Sequence, residues 1–153
     1  MKRMKLGPLV ITIAAVFVTF AFMLPQQLAG QPVVGRPLTA ILTGAEEVMG
    51  GDPDGSGLAD ITLNSGLGQV CFEITVEDID TPTRAHIHAA PAGVNGPIVV
   101  AFFDFVAPPI LEGCVEGVDR NLLKAIRANP QNYYVNIHNT PFPGGAIRGQ
   151  LFK

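Results

Sequence analysis

Clusters of glycine, proline, asparagine and aspartate interrupt the chain at short intervals, and they limit what can form between them. They fall at Gly50-Gly51-Asp52-Pro53-Asp54-Gly55, Asn64-Ser65-Gly66, Asp80-Thr81-Pro82, Asn95-Gly96-Pro97, Ala107-Pro108-Pro109 and Pro141-Phe142-Pro143-Gly144-Gly145. Proline lacks a backbone donor and glycine readily adopts turn conformations, so these clusters read as turns and leave room only for short elements. Most of the intervening segments have a period of two. In Gln69–Val76, Val70, Phe72, Ile74 and Val76 alternate with Gln69, Cys71, Glu73 and Thr75, the pattern of a half-buried strand. Leu58–Leu63 alternates too, with Ala59, Ile61 and Leu63 inward, while Ile98–Phe103 is apolar on both faces and reads as a strand covered on both sides. Leu38–Leu42 and Ile110–Val115 are weaker strand candidates, and Tyr133–His138 with Ala146–Leu151 reads as a hairpin. One segment has helical spacing: Asp119 is a good N-cap, Leu122, Leu123 and Ile126 follow, and Asn129-Pro130 stops the helix. Seven or so antiparallel strands with one short helix near 120–128 predict an all-β domain, a β-sandwich or Greek-key barrel.

Ahead of this domain, residues 1–30 read as an export signal. Lys2, Arg3 and Lys5 precede an apolar run from Leu6 to Leu24, Pro25 breaks it, and Ala29-Gly30 offers small residues for cleavage. The run also approaches the roughly 20 residues that a spanning helix needs, so an uncleaved N-terminal anchor is the alternative. In both cases the basic start stays inside, and the domain of residues 31–153 is placed outside: secreted, periplasmic or extracellular. No cysteine ends the apolar run, so a lipoprotein anchor is not indicated. Without Lys2, Arg3 and Lys5, seven of the ten basic residues face all 13 acidic ones, a net charge of −6. Seven scattered cations cannot displace counterions along a phosphate backbone, which excludes nucleic-acid binding.

Two cysteines remain, Cys71 and Cys114, and an even count in an exported domain is most simply one disulfide, the alternative being two buried thiols. The histidines carry more chemistry. His86 and His88 share a strand face with Arg84, and His138 shares one with Asn136 and Tyr134; Arg148 and Gln150 lie opposite the inward Ile147 and Leu151. If these strands are neighbours, three imidazoles, two guanidinium groups and two amides gather on one polar face. Imidazoles about 7 Å apart along a strand can converge on one ion, so His86, His88 and His138 form a candidate copper or zinc site. No cofactor is required by the pattern, and the same histidines could instead be hydrogen-bonded supports for the adjacent Pro/Gly loops. Arg84, Asn136, Arg148 and Gln150 would suit an anionic group on a partner. Glu46-Glu47 reads as a solvated turn, and Asp52-Pro53-Asp54-Gly55-Ser56 lacks the ligand spacing of an EF-hand. No P-loop, nucleophile elbow or dinucleotide fingerprint is present, so no catalytic residue is assigned.

Three stretches together resemble the CHRD domain family over about Leu38 to Leu151. They are Leu42-Thr43-Gly44-Ala45-Glu46-Glu47-Val48; Ala85-His86-Ile87-His88 with Gly93 to Val99; and Asn129-Pro130 through Tyr133-Tyr134-Val135-Asn136-Ile137-His138 to Gly144-Gly145-Ala146-Ile147-Arg148-Gly149-Gln150-Leu151. Where relatives often have prolines after Glu-Glu-Val, this chain has Met49-Gly50-Gly51. The resemblance implies an extracellular β-rich domain without established enzymatic activity, and so a non-catalytic binding or structural module acting on a protein, glycan or matrix partner. Contact with a membrane is expected only through an uncleaved anchor. A second likeness is to the copper site of Cu/Zn superoxide dismutases, in the His-x-His, later His and Gly-rich strand with Arg148. Those enzymes use more histidines and an aspartate, which ranks dismutase chemistry third, behind metal binding. Export with cleavage predicts a mature chain beginning near Gly30 or Gln31. The intact mass of exported protein measures this, and a mass that retains the apolar run means an anchor instead.

Overall fold

A computed structural model describes residues 37–107 and 111–153. The export segment 1–30, and Pro108, Pro109 and Ile110 of one turn and strand start, lie outside the described residues. Among the described residues eight strands lie between the turn clusters: β1 (Leu38–Thr43), β2 (Ser56–Asn64), β3 (Gln69–Glu77), β4 (Arg84–Ala89), β5 (Ile98–Asp104), β6 (Leu111–Val115), β7 (Tyr133–His138) and β8 (Ile147–Gln150). They form one antiparallel sheet in the order β5-β4-β7-β8-β1-β2-β3-β6. The sheet curls until its two ends approach, with Phe102 of β5 stacked on Phe72 of β3 at 4.5 Å between ring centroids. The result is nearly a barrel, not a pair of packed sheets.

The inward residues of each strand build a single core that includes Leu42, Ala59, Ile61, Leu63, Val70, Phe72, Ile74, Ile87, Val135, Ile137 and Ile147. These are the positions that the alternation assigns inward. Helix α1 (Arg120–Ala128) starts where Asp119 accepts a hydrogen bond from the Asn121 N–H at 2.8 Å. That bond satisfies a donor that has no partner within the helix. Leu123 and Ile126 pack into the same core, and Arg127 donates to the carbonyl of Leu63 at the end of β2.

Strand β5 departs from expectation. It is an edge strand with Ile98 at 53% exposure and Ala101 exposed, not a strand covered on both sides. Its register against β4 slips twice: Ala85 pairs with Phe103 but His86 with Ala101, and Ile87 pairs with Val100 but His88 with Ile98. Phe102 and Val99 are therefore extra residues on β5, and each slip resets which face the next side chain takes. An apolar run without alternation is the sequence trace of those bulges.

Cys71 on β3 and Cys114 on β6 are directly opposed and form a disulfide. Both lie away from the core, since Val70, Phe72 and Ile74 take the inward positions of β3. The bond joins residues 43 apart in sequence and holds edge strand β6 onto the sheet. In the chain-entropy account a loop of that length contributes up to about 4 kcal/mol. Replacing both cysteines by serine should lower the unfolding free energy by no more than that and leave the β circular dichroism spectrum intact. A coil spectrum for the double variant would contradict a purely stapling role.

Candidate metal centre

Strands β4, β7 and β8 lie side by side, and their register decides which side chains meet. Arg84 stands beside His138, His86 beside Asn136 and then Arg148, and His88 beside Tyr134 and then Gln150. Ala85, Ile87, Val135, Ile137 and Ile147 enter the core, so this polar set occupies the outer face of the barrel wall. An outer face is ordinarily wet. Here His86, His88, Asn136, His138 and Arg148 are all buried, because loops fold over them.

The side chains themselves hold those loops. Arg148, only 1% exposed, donates to the carbonyls of Pro91 (3.2 Å) and Val94 (2.9 Å) and to Asn95 Oδ1 (3.2 Å). Its guanidinium also lies 3.4 Å from the centroid of the Tyr134 ring. Gln150 Nε2 donates to the carbonyls of Ala90 and Gln131, both at 2.7 Å. Arg84 donates to the carbonyl of Pro143 at 2.9 Å, and Asn136 Nδ2 donates to Glu47 Oε1 at 3.5 Å. The four side chains matched to an anionic partner are thus all engaged within the protein. Three of them bind loop carbonyls.

His88 and His138 divide their two ring nitrogens between two tasks. His88 Nδ1 lies 2.8 Å from the Gly96 carbonyl and His138 Nδ1 lies 3.0 Å from that of Pro143. A carbonyl can only accept, so each Nδ1 carries the proton and each Nε2 presents a lone pair. His88 Nε2, His138 Nε2 and His86 Nδ1 are buried with no hydrogen-bond partner among the described residues. One ring nitrogen from each histidine lies within 4.8 Å of the other two. An ion bound at about 2.1 Å to each nitrogen would set them roughly 3.4 Å apart, so the rings draw together when it binds. Anchoring a ligand imidazole through its second nitrogen fixes its tautomer and its plane. Stacking does the same for His88, whose ring lies 7° from parallel to Tyr134 at 4.8 Å.

Electrostatics favour neutral, metal-competent rings. Burial pulls the His86 pKa down to about 4, helped by the neighbouring His138, His88 and Arg84 and opposed by Asp104. Burial also lowers His88, with Arg148 adding to it, against the bond to the Gly96 carbonyl and the influence of the neighbouring Asn136 amide. His138 is lowered for the same first reason, against its bond to Pro143.

Glu47 is the residue that sequence reasoning misplaced. Glu46 is exposed as expected of a turn, but Glu47 is half-buried against Asn136. Burial raises its pKa, while the Asn136 bond and the charge of Arg148 restrain the rise. Gly145, at φ 139°, passes so close to this carboxylate that any Cβ there would collide with it. Nothing local distinguishes Glu47 from Glu46, because the contact joins residues 89 apart in sequence. Parity places Tyr134 on this face but not its contacts with Arg148 and Gly96, and nothing in the sequence singles out Asn95. Their roles arise from loop placement.

A sequence profile described as the CHRD domain matches residues 38–151. No curated protein and no solved structure matches the chain.

The lowered histidine pKa values make a pH prediction. Below the unfolded imidazole value of about 6.5, the unfolded chain takes up protons that the native site resists, so stability is full above that pH. It should fall as pH drops from there toward about 4, the native value of His86. Glu47 acts oppositely, its contribution being present at low pH and lost as pH rises through its raised native pKa. Three imidazoles outweigh one carboxylate. The urea midpoint of metal-free protein should therefore decline between about pH 7 and pH 5; a flat profile would contradict the buried neutral site.

Proposed function

The chain belongs to the CHRD domain family, and from that premise we propose that it is a non-catalytic extracytoplasmic module whose working part is a copper or zinc site made by His86, His88 and His138. The observation that carries this reading is three neighbouring histidines, each with a buried ring nitrogen that has no hydrogen-bond partner among the described residues and each offering a ring nitrogen within 4.8 Å of the other two. A buried polar atom left without a partner costs about 1 to 3 kcal/mol. Three together on one face is a large penalty for a structural cluster to carry. A bound ion removes it.

Export is supported by the disulfide and by the basic and apolar N-terminal sequence. Among the described residues no helix is long and apolar enough to cross a membrane. A non-catalytic role is supported by the chemistry around the imidazoles. Glu47, which a hydrolytic or redox mechanism would want as a base, contacts Asn136 and not the rings. The loop-supporting role of the histidines is compatible with metal binding, because it uses Nδ1 of His88 and His138 and leaves Nε2 free.

Metal analysis and titration calorimetry on protein stripped with a chelator test the reading. About one equivalent of copper or zinc per chain is expected, with affinity falling on acidification as protons compete for the rings. His86→Ala and His138→Ala should each weaken binding by about a hundredfold or more while the β circular dichroism spectrum persists. Equal binding by wild type and both variants would place the ion elsewhere and defeat the assignment.

A further inference from the structure

The charge distribution around the three imidazoles bears on which ion they take, an inference that rests on the metal-site reading and goes beyond it. We infer that the site is built for monovalent copper in preference to any divalent ion.

All three ligands are neutral. Among the described residues no carboxylate or thiolate belongs to the cluster. The charged groups that act on the rings are Arg84 and Arg148 on the cationic side and Asp104 on the anionic side, while Glu47 faces Asn136 and Arg148. These do not sum to a negative environment. Asp104 has 78% of its side chain in solvent and is paired with Arg84 at 3.9 Å, so its field is largely screened. Arg148, by contrast, is fully buried, and its charge reaches His88. A cation placed among the imidazoles therefore keeps its charge uncompensated. The penalty for leaving water grows with the square of that charge, and a dication suffers far more than a monocation in a buried pocket.

Coordination number points the same way. Zinc in proteins is almost always four-coordinate, and with three protein ligands the fourth is a water or substrate. Here the unpartnered nitrogens are shut off from solvent, and the remaining buried acceptor without a partner beside them is the Oδ1 of Asn136, opposite His86 in the register. A neutral amide oxygen is a weak fourth ligand for a dication. Monovalent copper carries half the charge and is satisfied by three nitrogens in a plane, so it needs neither an anion nor an open position.

Parallel competition titrations on the exported, chelator-stripped protein test this. A cuprous-specific chelator competes under anaerobic conditions in one series, and chromophoric chelators compete for zinc and for cupric ion in the others. The expected result is cuprous binding at least about a hundredfold tighter than either divalent ion. Divalent binding as tight as cuprous overturns the inference while leaving the metal site standing. Absence of binding by all three ions overturns the metal-site reading itself. Asn136→Asp in a Glu47→Gln background, where the new carboxylate has no acidic neighbour at Glu47's position to share a proton with, supplies the missing negative charge beside His86 and should narrow the cuprous preference by raising zinc affinity. An unchanged ratio in a variant that keeps its β spectrum shows that charge does not set the selectivity, and overturns the argument from another side.

Discussion

Arg148 holds together more of this protein than any other side chain on the outer barrel wall. It sits on the short strand β8, buried, with a flat guanidinium whose donors face two loop carbonyls and one side-chain amide. Each of those carbonyls would otherwise be a loop acceptor in need of water, and each fixes a point of the 89–97 loop over the strands. Arginine suits the position because its donors are spread in a rigid plane, and because that plane can lie on an aromatic ring, here Tyr134. Lysine would offer a point charge and no plane.

The order imposed by Arg148 passes to the imidazoles through Tyr134. That ring carries the guanidinium and also stacks on His88, while its hydroxyl accepts from the Gly96 N–H. Gly96 in turn offers its carbonyl to His88 Nδ1. The loop, the aromatic ring and the imidazole thus fix one another. On the other side of the site, Pro143 performs the matching task for His138 while also accepting from Arg84. The loops that hide the site from water are the loops that aim its ligands. Burial and ligand geometry therefore have a common cause, and a loop change that exposed the rings would also release their orientation.

How much of this could be read from residues alone varies by element. Helix α1 is legible to its ends, because the capping Asp119 and the stop at Pro130 each act on the residues immediately beside them. The inward faces of β2 and β3 were legible because alternation is a local property. The pairing of Cys71 with Cys114 followed from their even count in an exported chain. Strand β5 was not legible as an edge, since bulges erase the alternation and edge position depends on which strands lack neighbours. The three histidines and Arg148 could be assigned to one face by parity, provided that β4, β7 and β8 were neighbours. Sequence could not supply that adjacency, because β4 and β7 are separated by β5, β6 and α1 along the chain.

By itself the sequence determined the strand periods, the capped helix, the turn positions, and the parity that puts His86 with His88 and His138 with Asn136. All of these follow from interactions a few residues long. Only the tertiary structure decided that the polar face would be dry, that Glu47 would meet Asn136, and that Arg148 would bind a loop more than fifty residues away. Those outcomes depend on how loops close over a curved sheet, and the free energy of that closure comes from partners distant in sequence. The same is true of the three imidazoles. Their spacing is written in the strands, but their burial, their lowered pKa values and their unpartnered nitrogens exist only once the loops are in place.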